Sequence, residues 1–322
     1  MTSLRRVPLR RPPVLFCLLL LAGCAAQAPL LTAHLSESAA PVVLAQTPFF
    51  PQQRYQCGPA ALAMSLQASG VSVQPAALVP KVWIPALKGS LQAEIIAATR
   101  DYRRVPYVIA PRLDALLAEL RAHHPVLVLL NLGWRFYPIW HYAVVIGYLP
   151  NADAMLLHSG TDKRKRVDAH DFLDNWNKAE RWGVAVLRPD ELPAGNDPRR
   201  YLRAVAPLEQ KGDPRAAERA YAAALTRWPD AVAARLGLGN SRYAQGNLSG
   251  AEQAWRGVLR RHPDVVIARN NLAQVLAEQG CVAQAREQID AALANAPLTL
   301  RARLRQTRDQ INAMQASGSH CQ

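Results

Sequence analysis

Apolar and polar residues follow three different patterns along the chain. An unbroken apolar run covers residues 14–22, close to the start. Between residues 47 and 192, short apolar runs alternate with segments whose apolar residues recur at the spacing of a helix with one buried face. From residue 198 onwards, helical segments recur in pairs. These patterns predict an N-terminal targeting segment, an α+β domain and an all-α domain.

The α+β domain is predicted to form helices first and an antiparallel sheet afterwards. Helices are expected over CGPAALAMSLQA, over GSLQAEIIAATRDY with Ser90 as its cap, over PRLDALLAELRAHH and over AHDFLDNW. Strands are expected over PVLVLLNL, over the hairpin formed by HYAVVIGYL and AMLLHSG, and over WGVAVLRP. The first of these strands is apolar without alternation, which indicates burial on both faces.

The C-terminal third repeats itself with a step of 34 residues. Glycine turns two helices, a small alanine lets them cross closely, and proline ends the second helix. The pattern resembles the tetratricopeptide repeat and predicts three copies at 198–231, 232–265 and 266–299, followed by a polar capping helix at 300–316. Such a stack either recruits a protein partner or supports the neighbouring domain. The positions that share the step are Gly212, Gly246 and Gly280; Ala217, Ala251 and Ala285; Tyr221, Trp255 and Ile289; Pro229, Pro263 and Pro297.

The N-terminal segment has the charge pattern of a secretory signal. Four arginines and no acidic residue flank an apolar run that is too short to span a bilayer and ends in LAGC. This ending resembles the lipobox of bacterial lipoproteins, which implies that Cys24 is acylated and begins the mature chain. Residues 1–23 are then the signal peptide and residues 24–46 a tether. The resemblance implies an anchor in the outer membrane of a Gram-negative cell, facing the periplasm. An uncleaved signal anchor is the alternative.

The cysteines divide into those of the signal and those of the folded domains. The chain has five; Cys17 leaves with the signal peptide and Cys24 carries the lipid. Cys281, at the top of the third helix pair, and Cys321, after the capping helix, are expected at similar heights. We therefore predict a Cys281–Cys321 disulfide in the oxidising periplasm. Cys57 is left unpaired.

Cys57 has the sequence context of a reactive thiol. It begins a predicted helix, where unpaired N–H groups and the positive end of the helix dipole favour the thiolate. A protonated histidine nearby adds to this effect, so a pKa of roughly 3.5 to 7.5 is expected in such a site. His141, at the start of a strand, is the candidate partner. The alternatives are a buried or disulfide-bonded Cys57 and a structural His141.

The segments QCGPAALAM, VLVLLNLG and HYAVVIGY resemble the papain-like cysteine peptidases that remove double-glycine leaders from bacteriocins, family 39 of the cysteine peptidases. They resemble most the free-standing lipoprotein form that carries tetratricopeptide repeats. The resemblance implies a papain-like domain at 47–192, with Cys57 as nucleophile and His141 as base. It implies an oxyanion-binding glutamine, for which Gln52 is chosen over Gln53 because the usual position falls on Pro51. The residue that orients the histidine falls on Ser159, a weaker partner than a carboxylate.

The remaining features narrow the class of function. No residue cluster has metal-ligand spacing and no glycine-rich phosphate loop occurs, so neither a metal nor a cofactor is expected. The formal net charge is +14, but nucleic acid is not expected as a partner of a periplasmic lipoprotein. The basic run DKRKR, residues 162–166, is expected to form a solvated turn; the alternative is contact with anionic lipid or an acidic partner. The aromatic residues Trp134, Phe136 and Trp140 precede His141 and are expected to line a substrate cleft.

Two functions remain. One is a membrane-anchored periplasmic cysteine peptidase that acts on a peptide or protein substrate, with a protein partner bound by the repeats. The other is a catalytically weak or inactive adaptor of the cell envelope.

Overall fold

The computed structural model describes residues 29–35, 40–53, 55–210 and 213–314. The predicted signal peptide, Cys24 and Cys321 lie outside these residues. The helices are α1 Leu30–His34, α2 Cys57–Ala68, α3 Pro75–Val82, α4 Gln92–Asp101, α5 Leu113–Arg121, α6 Ala169–Asn177, α7 Pro198–Gln210, α8 Pro214–Arg227, α9 Val232–Tyr243, α10 Leu248–Leu259, α11 Val266–Glu278, α12 Val282–Ala294 and α13 Leu298–Asn312. The strands are β1 Val42–Val43, β2 Val105–Val108, β3 Val126–Asn131, β4 Trp140–Leu149, β5 Ala154–Ser159, β6 Asp162–Asp168 and β7 Gly183–Leu187.

The strands form one antiparallel sheet, which confirms the α+β prediction. Their order is β2-β7-β3-β4-β5-β6, and β1 pairs with β4. The register places Leu130 opposite His141 and Val144 opposite His158. Consequently the start of β4, the end of β5 and the start of β6 lie at the same end of the sheet.

The centre of the sheet is buried on both faces, in agreement with the buried strand that the unbroken apolar run of β3 predicted. Val126, Val128 and Leu130 pack into one core with α5, α6 and α7, whereas Leu127 and Leu129 pack into another with α2, α3 and α4. Side chains alternate between the two faces of a strand, so each face of β3 needs its own apolar set. The second core places α2, and with it Cys57, against β4.

The C-terminal helices α7–α12 pack one after another in successive pairs, as the 34-residue step predicted, and α13 packs against the last pair. The first helix of this stack, α7, shares a core with the sheet through Tyr201, Val205 and Leu208. Helices approach closely at glycines: a Cβ on Gly239 would lie 2.3 Å from Nε1 of Trp255. Cys281 is disulfide-bonded; because its predicted partner Cys321 lies outside the described residues, that pairing stays a prediction.

A buried charged cluster joins the two domains. Nδ1 of His124 lies 2.7 Å from Oε2 of Glu119, and its Nε2 lies 3.4 Å from Oε1 of Glu191. Glu119 also accepts hydrogen bonds from the backbone N–H groups of Ala194 and Gly195, in the link to the repeats. Burial lowers the pKa of His124, but its two carboxylate partners outweigh that effect and raise the pKa to about 9. The cluster therefore holds a buried imidazolium at the junction.

Part of the segment predicted as a tether is folded onto the domain. Leu31 of α1 is fully buried, and the backbone N–H groups of Leu30 and Leu31 donate to the carboxylate of Asp153. The short strand β1 adds to β4 at Tyr148 and Gly147. Apolar residues do not recur at a regular spacing in this segment, because it is held by these few contacts rather than by a continuous buried face.

Two local predictions differ from the structure. DKRKR, predicted as a solvated turn, lies in β6, an edge strand exposed along most of its length. Strands exposed on both faces show no alternation of apolar residues, so the spacing of apolar residues could not reveal β6. Ser90 was predicted to cap α4, but the cap position is Leu91 and no side chain bonds there. None of the described helices has both the length and the apolar content needed to cross a bilayer.

Candidate active site

Cys57 is the first residue of α2, a helix buried on almost every side. Its neighbour Gly58 is packed against the loop before α4, where a Cβ would come within 2.2 Å of Oγ of Ser90. No side chain can fit there, so glycine lets the helix start pack tightly. Cys57 is a free thiol, in agreement with the expectation that it is unpaired.

The backbone of Tyr142 in β4 is the centre of the site. Its N–H group, with those of Gly58 and of Cys57 itself, favours the thiolate form of Cys57 and acts to lower the pKa of that thiol. Its carbonyl oxygen accepts a hydrogen bond from Nε2 of Gln52, at 3.3 Å. The nucleophile candidate and the oxyanion candidate therefore both adjoin the residue that follows the candidate base, His141, in β4.

His141 is hydrogen-bonded to the residue that the resemblance placed third. Nε2 of His141 lies 2.9 Å from Oγ of Ser159, which ends the neighbouring strand β5. Since this nitrogen is occupied, Nδ1 is the nitrogen available to take a proton. No hydrogen bond joins His141 to Cys57 within the part of the chain that the structure describes.

A second histidine holds the segment that carries Gln52. His158 is buried, its Nε2 donates to the Thr47 carbonyl oxygen at 3.1 Å, and its Nδ1 accepts from the N–H group of Arg164 at 3.1 Å. The N–H group of Gln52 donates to the Gly160 carbonyl oxygen at 3.0 Å. The end of β5 thus fixes both Ser159, which is the partner of His141, and Gln52, which is the oxyanion candidate.

The protonation states differ from the sequence expectation. Burial raises the pKa of the Cys57 thiol above its ordinary value, although the three backbone N–H groups oppose this effect. Burial, with the positive charge of Lys165, lowers the pKa of His141 to about 4. The expected thiolate–imidazolium pair is therefore wrong for this state of the site. Desolvation is larger than the helix-terminus effect because most of the surroundings of the sulfur are protein rather than water.

Cys57 and His141 both line one cavity of about 730 Å³. Gln52 and the runner-up Gln53 line it as well, with Trp140 on one wall. Trp134 and Phe136 do not line the cavity, contrary to the prediction that they belong to the cleft. They lie in the loop between β3 and β4 and are exposed, because the loop turns outward before β4 begins.

Sequence reasoning missed further residues of the cavity. Ser90 and Leu91 form part of its wall, and Oγ of Ser90 is buried without a hydrogen-bond partner among the described residues. Lys165, on β6, acts on His141 through its charge. No pattern in the sequence connects Ser90, Leu91 and Lys165, because these residues come together only in the folded chain. Within the described residues, no group of three or more His, Cys, Asp or Glu side chains is placed to hold a metal ion.

Both domains resemble families of known proteins. Residues 44–184 match the family described as Peptidase_C39 like family, and residues 208–255 and 236–299 match the tetratricopeptide repeat. A crystal structure described as that of a C39-like peptidase from Bacillus anthracis is 16% identical and covers 46% of this chain and 98% of its own. Its TM-score is 0.38, so that likeness adds no argument. No curated protein matches the chain.

Proposed function

Since the chain joins a C39-like peptidase domain to tetratricopeptide repeats, we propose that it is a cysteine peptidase that hydrolyses a peptide or amide bond. The observation that carries the proposal is the convergence of four groups around one strand end. Cys57 and His141 line the same cavity, the Gln52 amide donates to the Tyr142 carbonyl oxygen, and His141 is hydrogen-bonded to Ser159.

In the proposed reaction the Cys57 sulfur attacks the substrate carbonyl carbon while Nδ1 of His141 takes the thiol proton. The carbonyl oxygen becomes an oxyanion, which the Cys57 N–H group and Nε2 of Gln52 stabilise. The C–N bond then breaks, Nδ1 returns the proton to the leaving amine, and a thioester remains. Water, deprotonated by the same imidazole, hydrolyses this thioester and regenerates the thiol. Ser159 accepts a hydrogen bond from Nε2–H and keeps Nδ1 free.

The test is covalent trapping combined with turnover. The full chain is incubated with a peptide that ends in an acyloxymethyl ketone, and the modified peptides are identified by mass spectrometry. We expect an adduct on Cys57 that is absent in Cys57→Ala and much slower to form in His141→Ala. Cleavage of a peptide mixture should be lost in both variants. Labelling at an unchanged rate in His141→Ala would contradict the proposed pair.

A second function has an observation of its own. The third position of the site is a hydroxyl, and the neutral forms of both Cys57 and His141 are favoured. These features suit an adaptor that binds a polypeptide in the cavity without cleaving it. In the same experiment an adaptor would retain peptide binding, give no adduct dependent on His141 and release no products.

The repeats are proposed to recruit the protein partner. Polar side chains link the first helices of successive repeats: Asn240 donates to Glu209 at 2.9 Å, Asn271 donates to Asn240 at 3.1 Å, and Gln274 donates to Tyr243 at 2.9 Å. These groups place hydrogen-bonding atoms at regular steps, which suits an extended peptide. Photo-crosslinking from position 271 in cells should capture a protein if the proposal is correct, and capture none if the repeats only support the peptidase domain.

Anchoring by a lipid on Cys24, on the periplasmic side of the outer membrane, is also proposed here. Its support is the resemblance of LAGC to a lipobox. The mature chain should begin at residue 24 and carry the mass of several acyl chains, which hold a protein on a bilayer more firmly than one chain. A Cys24→Ser variant that still has the lipid mass, or a wild-type chain that keeps residues 1–23, would contradict this.

A further inference from the structure

The loop between β3 and β4, residues 132–139, exposes large apolar side chains. Trp134 is 71% exposed, Phe136 85% and Tyr137 71%. Leu132 and Ile139 are also about half exposed. Single exposed apolar residues need no explanation, but a contiguous exposed patch marks a surface that binds something. We call residues 132–139 the aromatic loop.

The aromatic loop is held in shape by a buried amide. Asn131 is 1% exposed; its Oδ1 accepts from the N–H groups of Gly133 and Ile139, both at 3.0 Å, and its Nδ2 donates to the Trp134 carbonyl oxygen at 3.3 Å. Trp134 and Tyr137 exchange two backbone hydrogen bonds, at 3.2 Å each. These hydrogen bonds from one buried side chain hold the loop in a shape that leaves its apolar side chains outward.

The shape also depends on Gly133. A Cβ at this position would lie 2.5 Å from the Tyr137 carbonyl oxygen, so any other residue would open the turn. The Trp134 and Phe136 rings stack on each other with their centres 6.1 Å apart. The loop is thus a preorganised apolar projection, and a preorganised surface loses little freedom on binding. The candidate active site does not explain it, because these two rings lie outside the cavity.

Basic side chains lie at the same end of the sheet. The turn from β5 to β6 is at the end where β4 begins, and β6 then continues with Lys163, Arg164, Lys165 and Arg166, all exposed. Successive strand residues advance by about 3.3 Å, so the first of these cations are within roughly 10 Å of that end. Lys165 is close enough to act on the charge of His141. The aromatic loop itself contains Arg135.

We propose that the aromatic loop and the basic start of β6 dock the peptidase domain on the surface of an anionic lipid bilayer. Tryptophan, tyrosine and phenylalanine prefer the headgroup level of a membrane, where an apolar ring and a polar edge are both satisfied. Lysine and arginine beside them attract anionic headgroups. An acidic protein would suit the cations but would not require so large an apolar projection.

This docking is separate from anchoring at the N-terminus and from catalysis. A lipid on Cys24 would tether the chain without fixing its orientation. Contact through the aromatic loop would orient the domain, with the Trp140 side of the cavity beside the bilayer. This orientation predicts that the substrates able to reach the cavity are membrane proteins or lipid-bound peptides.

The experiment measures side-chain burial directly, with the full chain attached to vesicles through its N-terminal segment. Hydroxyl-radical oxidation of the aromatic loop is compared on vesicles of phosphatidylcholine and on vesicles of equal parts phosphatidylcholine and phosphatidylglycerol. We expect oxidation of Trp134, Phe136 and Tyr137 to fall severalfold on the anionic vesicles only. Met314, exposed at the end of the repeat domain, should be oxidised equally on both.

Variants separate docking from an unfolded or unrelated effect. Trp134→Ser with Phe136→Ser should return Tyr137 to its oxidation rate on neutral vesicles, because each ring contributes about tenfold or more to partitioning. Leu298→Ser, an equally exposed apolar position on α13, should keep the protection. High salt should remove it, since the attraction is screened.

Three outcomes would overturn the proposal. They are equal oxidation on both kinds of vesicle, protection that Leu298→Ser removes as effectively, and protection that appears only when an acidic protein is added to the chain. The last outcome would identify the surface as a protein-docking site.

Discussion

The pH dependence of Cys57 alkylation tests the protonation states directly. Burial raises the pKa of the Cys57 thiol above its ordinary value and, with the positive charge of Lys165, lowers that of His141 to about 4. Both neutral forms should therefore dominate at neutral pH. A thiolate–imidazolium pair, the state expected from the sequence, would instead be charged across the whole range between the two pKa values.

The magnitude of the rate at one pH does not separate the two states. A thiol whose pKa is raised by burial is thiolate only to a small fraction at pH 7, whereas an ion-paired cysteine is nearly all thiolate. However, nucleophilicity falls with pKa by a Brønsted coefficient of about 0.4–0.5, so each thiolate of the ion-paired form is the weaker nucleophile. The two effects oppose each other. The slope of rate against pH is decisive.

The assay is the rate of iodoacetamide modification of the peptide containing Cys57, followed by mass spectrometry. Between about pH 6 and pH 8 the rate should rise roughly a hundredfold, as the thiolate fraction does for a high pKa. The His141→Ala variant should give the same slope. In urea, where burial is lost, the midpoint should shift down towards the ordinary value. The reasoning would be refuted if the rate for the wild-type chain did not change over this interval while the rate for His141→Ala rose with pH.

Three further predictions concern other parts of the molecule. Ser159→Asp should raise the pKa of the histidine by about 1–3 units, because an anion within hydrogen-bond distance favours the imidazolium, and alkylation should then become less dependent on pH. His124→Gln should remove about 3 kcal/mol from the free energy of unfolding in urea below pH 6.5. This follows because the pKa of His124 is raised from 6.5 to about 9, so its contribution is complete below 6.5 and is lost as pH rises through 9. His262→Gln, at an exposed histidine, should leave unfolding unchanged at every pH, and an equal loss in both variants would contradict the role of the buried cluster. Gly239→Ala should lower the free energy of unfolding by about 1–3 kcal/mol, since its Cβ overlaps the ring of Trp255; a stabilised variant would show that the repeats can separate there.

The fold was predictable wherever burial imposes a period on the sequence. The unbroken apolar run of β3 follows from two buried faces, and the step of 34 residues in the repeats follows from stacked helix pairs. β6 escaped prediction because an exposed edge strand imposes no apolar alternation. Likewise α1 is fixed by one buried leucine and by bonds to Asp153, contacts that span more than a hundred residues and leave no local pattern.

The positions of the site were more predictable than its electrostatics. Cys57 at a helix start and Ser159 at the end of a strand follow from local elements, and the sheet register then brings Ser159 to His141. The pKa directions depend instead on how completely distant segments enclose the two groups. Lys165 could not be assigned to the site from the sequence, because β6 was not expected to be a strand.

Burial and the positive charge of Lys165 oppose the protonation of His141. Ser159 offers a hydroxyl where a carboxylate would compensate an imidazolium. The effect of Lys165 can be changed without a mutation. Lys165 belongs to the basic start of β6, so anionic headgroups against that strand would offset its charge. Binding and protonation would then be linked in both directions, because a surface that favours the imidazolium must itself bind more tightly when the imidazolium forms.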